Sequence, residues 1–272
     1  MPLATHRHMQ RLPLRSLAPV VLGTLMALAA VPALAQETDA PLRRTVPARR
    51  DPTASALPTW SEQIRVRESW LDTRHRLLLD MMRKRGIGMW IVVNEEFHND
   101  PLAEFIAPPR PYTGNRDFFI FVDTGGTSLR RIAVTGYSED NLKRWFESPD
   151  EPKPITTVLP ELVKRYDPKR IALGTGGKRG VTRSLTHDTW VDLTTLIGPD
   201  AGQRVVPAAD LIEEYLDTRI PEEMPYYRKA VQLTESLARR ALSNEVIVPG
   251  KTTVGDVRNW LYDALWAAGV RT

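Results

Sequence analysis

Ile64, Leu71, Leu78 and Met82 recur at helical spacing, and the basic turn Arg83-Lys84-Arg85 followed by Gly86 reads as the stop of that helix. Met89 to Val93 is a short, continuous apolar run, the pattern of a buried strand. Further on, "DFFIFVD" from Asp117 and "LRRIAVTG" from Leu129 are both β-rich. The "TGGTS" between them supplies turn chemistry, so the stretch predicts a hairpin. Ser138 is placed to cap a helix running through Trp145 and Phe146. Helices over Val158 to Tyr166, Thr189 to Ile197 and "ADLIEEYLDTR" are then interleaved with the strands "RIALG" and "RVVPA". Strands mixed with helices, one pair antiparallel, predict an α/β domain on a mixed sheet over roughly 60–217.

The pattern changes at "DTRIPEE". A residue before proline is biased away from the helical region, so Ile220 marks a boundary. Pro221 suits a first helical position, and Glu222 and Glu223 complement the positive end of the helix dipole. Tyr227, Ala230, Val231, Thr234, Leu237, Ala238, Ala241 and Leu242 then line one helical face. After the Pro249-Gly250 turn, Thr253 and Asp256 have capping-box spacing. Val254, Val257, Leu261, Ala264, Leu265 and Ala268 give a second helix its stripe. Two full apolar stripes need a partner surface. They either pack back on the first domain or open a second domain, over 218–272, whose sheet is not in these 272 residues.

Charge adds little. Leaving out Arg7, Arg11 and Arg15 of the first 35 residues takes the 37 basic side chains to 34 against 33 acidic, a formal net of +1. No basic stripe interleaved with aromatics suggests a nucleic-acid partner. Those three arginines instead form the positive region ahead of an apolar run from Leu17 to Val31, and Ala33-Leu34-Ala35 supplies a small-x-small cleavage pattern. The run is shorter than the ~20 residues of a spanning helix and is interrupted by Pro19 and Gly23. Residues 1–35 therefore read as an export signal cut after Ala35, which implies a periplasmic or secreted product with no membrane attachment after cleavage. Residues 36–59, rich in Pro, Ala, Thr and Arg, read as a disordered linker. With no cysteine in the chain, disulfides and thiolate chemistry are excluded.

Candidate chemistry is sparse. "ALGTGGKRG" follows a predicted strand, but a Walker loop would need glycine where Ala172 stands and Ser or Thr where Arg179 stands. An ordinary loop is the better reading. Ser184, His187 and Asp188 bring nucleophile, base and acid types together, yet triads are assembled in space and no G-x-S-x-G elbow is present. Helix capping by Ser184 or Thr186 accounts for that stretch. "NEEFHNDP" places Glu95, Glu96, His98 and Asp100 after a buried strand, where α/β sheets put ligand contacts. A solvated loop, a substrate-side or subunit-contact loop, and a metal site all remain open there, although no H-x-x-x-H or H-E-x-x-H spacing exists. Arg110, Tyr112 and Arg116 flank "PYTGNRD", and arginine beside an aromatic suits a carboxylate-bearing ligand. His98, Arg110, Tyr112 and Arg116 are the candidate substrate-side residues.

The segment from "TRIPEEMPYYRKAVQLTESLARRALSNEVIVPGKTTVGDV" to the Ala-Gly at 268–269 resembles the opening of the pita-bread metallopeptidase domain. Arg219 with Glu222 and Glu223, the Arg228-Lys229-Ala230 step, the turn Pro249 to Thr252 and Val257 carry that likeness. "RLLLDMMRKRGIGMWIVVN" and "PYTGNRDFFIFVDTGGTSLRRIAV" are similar to the amino-terminal domain that precedes it in aminopeptidase P, prolidase and creatinase. "NEEFHNDPLAEFIAPPRP" departs from the family's usual short connection. The resemblance implies a mixed-sheet amino-terminal domain followed by the first helices of an incomplete α+β pita-bread domain. For the full protein it implies hydrolysis of short proline-containing peptides with two divalent ions, manganese, cobalt or zinc, in a homodimer. The family's metal ligands, two Asp, one His and two Glu, all lie further along that domain. None falls on a residue of this chain, Asp256 and Asp263 included, so the 272 residues by themselves are expected to be inactive. A metal-free creatinase-like amidinohydrolase and a non-catalytic binding module are the alternatives.

Overall fold

The computed structural model describes residues 58–109 and 112–270. The export segment, nearly all of the predicted linker, and Arg110 lie outside the described residues.

Helix α1, Trp60–Lys84, opens on a capping box that the sequence reading missed. Glu62 donates its backbone N–H to Thr59 Oγ1 at 3.4 Å and accepts the Thr59 N–H at 2.7 Å. Arg83 and Lys84 face the negative end of its dipole. Gly86, at φ 64°, then turns the chain in a conformation that favours glycine. Strand β1, Met89–Glu95, is buried on both faces from Met89 to Val93. That continuous burial explains its unbroken apolar run: β1 is the central strand of a five-stranded sheet in the order β3-β2-β1-β4-β5.

The remaining strands are β2, Arg116–Asp123, β3, Leu129–Val134, β4, Ile171–Leu173, and β5, Val205–Pro207. The predicted hairpin is present. β2 pairs antiparallel with β3 and with β1, whereas β4 is parallel to both β1 and β5, so the sheet is mixed and the class is α/β. Leu71, Leu78 and Met82 of α1 pack on one face with Leu211, Ile212 and Tyr215 of α7, Ala209–Asp217, over Trp90, Phe119 and Phe121. The opposite face is covered by Leu159 and Leu162 of α4, Ile155–Tyr166, and by Leu193 and Ile197 of α5, His187–Ile197. Trp90 and Phe121 stack with ring centroids 5.4 Å apart, and Phe146 meets Phe121 edge-on at 5.7 Å. Such pairs contribute about 0.5–1.5 kcal/mol each beyond their buried area.

Three short helices punctuate the loops: α2, Ala103–Ile106, which the sequence reading did not foresee, α3, Asp140–Lys143, and α6, Ala201–Arg204. One expectation is corrected here. Ser138 caps nothing, because the N-cap of α3 is Glu139 and the Ser138 hydroxyl is spent on Ser148 O at 3.0 Å. The predicted helix over Trp145 and Phe146 is a tight turn, in which both N–H groups donate to Leu142 O.

After Ile220 the chain makes a 3-10 turn over Pro221–Glu223 and enters α8, Met224–Ala241. The capping box Thr253–Asp256 is present and starts α9, Val254–Ala267. The two helices pack on each other through Leu237, Ala241, Trp260 and Ala264. The joint to the sheet domain is made at the start of α8. There the Arg74 guanidinium of α1 donates to Glu223 Oε1 and to Tyr215 O, and Trp70 meets Tyr226 edge-on at 5.5 Å. Most of the predicted stripe of α8 is left uncovered: Tyr227, Val231 and Leu242 are exposed, as are Val254 and Trp266 of α9. Among the described residues no helix is long and apolar enough to cross a membrane.

Candidate functional site

From β1 the chain moves outward one way to β2 and β3, then crosses back to build β4 and β5 on the other side. The gap between β1 and β4 is therefore the topological switch point, and the ends of parallel strands at such a point are where open α/β sheets take ligands. Two loops meet there. Residues 95–102 leave β1, and residues 174–186 leave β4.

Hydrogen bonds tie these loops together. Glu95 accepts from the Thr186 hydroxyl at 2.9 Å and from the Thr189 hydroxyl. His98 donates Nε2–H to Ser184 O at 2.9 Å. Asp100 is 5% exposed, and its two carboxylate oxygens accept the Ser184 hydroxyl at 2.7 Å and the Leu102 N–H at 2.8 Å. Burial pushes the Asp100 carboxyl above its ordinary range, against the lowering effect of those two hydrogen bonds. Asn94 completes the fastening, accepting the Asp100 N–H at 2.8 Å and donating to Thr113 Oγ1.

These geometries sort the sequence candidates. His98, Glu95 and Asp100 are brought to one place, but each is engaged with a hydroxyl or a carbonyl of residues 184–189. No group of three or more His, Asp or Glu that could hold a metal occurs among the described residues. Thr186 caps α5, as expected, by accepting the Thr189 N–H at 3.3 Å. Ser184 does not cap. Ser184 and His187 do not form a catalytic pair, for Ser184 donates to Asp100 and His187 stacks on Trp190 at 6.3 Å. Arg116 reaches across to Asp192 at 2.5 Å, with Glu95 at 3.9 Å. Tyr112 lies exposed against Tyr137, ring centroids 5.5 Å apart, and the Tyr137 hydroxyl donates to Tyr112 O. Arg110 lies outside the described residues.

In "GTGGKRG", Gly176 and Gly177 answer to backbone conformation and packing. At Gly177, with φ 72°, a Cβ would stand 2.8 Å from that of Ala209, so the position needs glycine with no phosphate in view. The sequence reading also missed Phe97. This side chain is 97% exposed at the tip of the 95–98 turn, and its φ of 59° is a left-handed conformation unusual for a bulky residue. The turn is held by His98 N–H to Glu95 O at 3.1 Å and Glu96 N–H to Asn115 O at 2.8 Å. Its neighbour "HND" gave no hint, because backbone strain leaves no mark in composition. The result is a rigid, hydrogen-bonded platform with Phe97 presented on it, and Tyr112 and Trp190 exposed on the flanking elements. Within it, the Glu95 and Asp100 carboxylates are held in place as acceptors of the Thr186, Thr189 and Ser184 hydroxyls. No family model matches this chain, and no curated protein matches it.

Proposed function

We propose that this chain is the amino-terminal portion of an exported metallopeptidase of the Xaa-Pro aminopeptidase or prolidase kind. In this reading the sheet domain supplies the rim of a substrate mouth and a homodimer contact. The helix pair is the first layer of a pita-bread catalytic domain. The observation that carries it is the apolar surface left on the helix pair among the described residues: Val231, Leu242, Val254 and Trp266 are between 62% and 88% exposed, although Tyr226 at the start of α8 meets Trp70. A patch of that kind marks an interaction surface. The two divalent ions belong to the remainder of that catalytic domain, and no residue described here is assigned to them. When bound, they would polarise a peptide carbonyl and supply a nucleophilic hydroxide.

The test is the natural product recovered from its host, measured for intact mass, bound divalent metal and hydrolysis of short Xaa-Pro peptides. A mass above that of these 272 residues, with metal and hydrolysis, is expected. A product that ends at Thr272 and is inert overturns the peptidase reading. A non-catalytic binding module would then be favoured by the exposed aromatics around the switch point.

A further inference from the structure

On β3, Leu129, Arg131 and Ala133 share one face of the strand, and Leu129 and Ala133 are buried in the core beneath α1. Arg131 is therefore a cation on a core-facing position. Its guanidinium donates to His75 Nδ1 at 2.8 Å, and the other His75 nitrogen donates to Ile106 O at 2.8 Å. Burial and the Arg131 charge hold His75 neutral, pushing its pKa down to about 3. The imidazole thus fixes the guanidinium without compensating it. Among the described residues Arg131 makes no ion pair, Asp72 acts on it only at a distance, and burial lowers its pKa. A half-buried cation is ordinarily matched by an anion in contact with it.

Beside it lies a cavity of about 120 Å³, lined among others by Asp72, His75, Arg76, Thr127, Ser128 and Arg131. Thr127 and Ser128 belong to the β2–β3 turn. That turn is anchored to α1 by Arg83, which donates to both Asp123 oxygens at 2.8 Å and to Gly126 O at 2.6 Å. The cavity is well below the roughly 300–1,000 Å³ of sites for drug-sized ligands, so a single small ion is the scale of guest it admits.

We propose that this cavity binds one phosphate-sized oxyanion and prefers hydrogen phosphate to sulfate. Arg131 and Arg76 offer guanidinium donors, and Thr127 and Ser128 offer hydroxyls, the groups that hold oxyanions by charge-assisted hydrogen bonds. Asp72 supplies the discrimination. An ionised carboxylate only accepts, so an oxyanion beside it must bring its own proton; hydrogen phosphate has one and sulfate has none. This site lies between α1 and the β2–β3 hairpin, and it stands whether or not the peptidase reading does.

Isothermal titration of the mature chain at neutral pH and constant ionic strength tests it, with inorganic phosphate and sulfate as the probes. One saturable phosphate site per chain is expected, with sulfate weaker by about tenfold, the size of one unmatched charged hydrogen bond. Arg131→Gln should abolish the heat, and Arg76→Gln, an exposed change safe for the fold, should weaken binding by about tenfold. Asp72→Asn should close the gap between phosphate and sulfate. The absence of saturable heat at millimolar phosphate, meaning a cavity that holds water only, overturns the proposal. So does phosphate binding that neither arginine substitution changes, and sulfate bound as well as phosphate by the wild type removes the preference. Should Arg131→Gln fail to fold, Arg76→Gln and Asp72→Asn still decide the matter.

Discussion

Trp90 and Trp260 are both buried tryptophans, in very different company. Trp90 is sealed within the sheet domain, stacked on Phe121 and edge-on to Tyr215 at 6.0 Å, with α1 and α7 above it. Trp260 is held by Leu237, Ala241 and Ala264 and roofed by the Arg240 guanidinium 5.1 Å above its ring. The sheet domain closes its core with layers on both faces, whereas the helix pair closes only the seam between its two members. Amphipathic periodicity therefore writes a stripe into both regions, and a stripe says that burial is required without saying what provides it.

The comparison is broken most directly from the sheet side. Phe121→Ala, a large-to-small change at a fully buried position, should lower global stability by about 3–5 kcal/mol in urea unfolding, with all probes moving together. Trp260→Ala should instead shift only α8 and α9, read by amide exchange, while the sheet's protection stays as it was. Coincident loss across both regions would show that they unfold as one. Next comes the joint. Glu223→Ala leaves Arg74 as a buried cation without its carboxylate and should destabilise by about 3 kcal/mol or more. Pairing it with Arg74→Met should recover much of that, measured as a double-mutant cycle.

A graded effect sharpens the contrast through pH. His75 lies in the sheet domain, and its folded pKa, about 3, is depressed below the ordinary 6.5. The unfolded chain takes up a proton below 6.5 that the native state refuses until near 3. Stability at neutral pH is therefore fully present above 6.5, and is lost by about 1.4 kcal/mol per pH unit as pH falls through the window. His75→Gln, which can still donate to Ile106 O, should flatten that slope in thermal melts from pH 7 to 4. The smallest change is Trp266→Ser on the uncovered face of α9. Stability should stay within about 0.5 kcal/mol, while self-association in sedimentation falls. A large loss of stability would mean that the face is already covered.

Legibility followed the same divide between local and non-local chemistry. Capping by Thr186, the Thr253–Asp256 box, the hairpin and the central strand were readable because each is decided within a few residues. The Ser138 reading failed because its hydroxyl found Ser148, ten residues on, a competitor outside the capping window. Glu95, His98 and Asp100 could be named as a group, but their hydroxyl and carbonyl partners lie 84 to 94 positions away, so their role as fasteners was not in the local pattern. Trp260 was absent from the predicted stripe although it stands three residues after Val257 and four before Ala264, the spacing of that same face. Phe97 was invisible for a different reason, since φ is a property of the turn and phenylalanine carries no preference for it.

Arg74 and Glu223 are 149 positions apart, and that interval has a temporal side. A chain is made from its first residue, so α1 exists long before its counter-charge does. Until Glu223 emerges, closing the sheet domain would enclose a bare guanidinium beside Tyr215. A chain cut before Glu223 should therefore close its sheet domain less stably than one that includes it, read by urea unfolding of the two lengths.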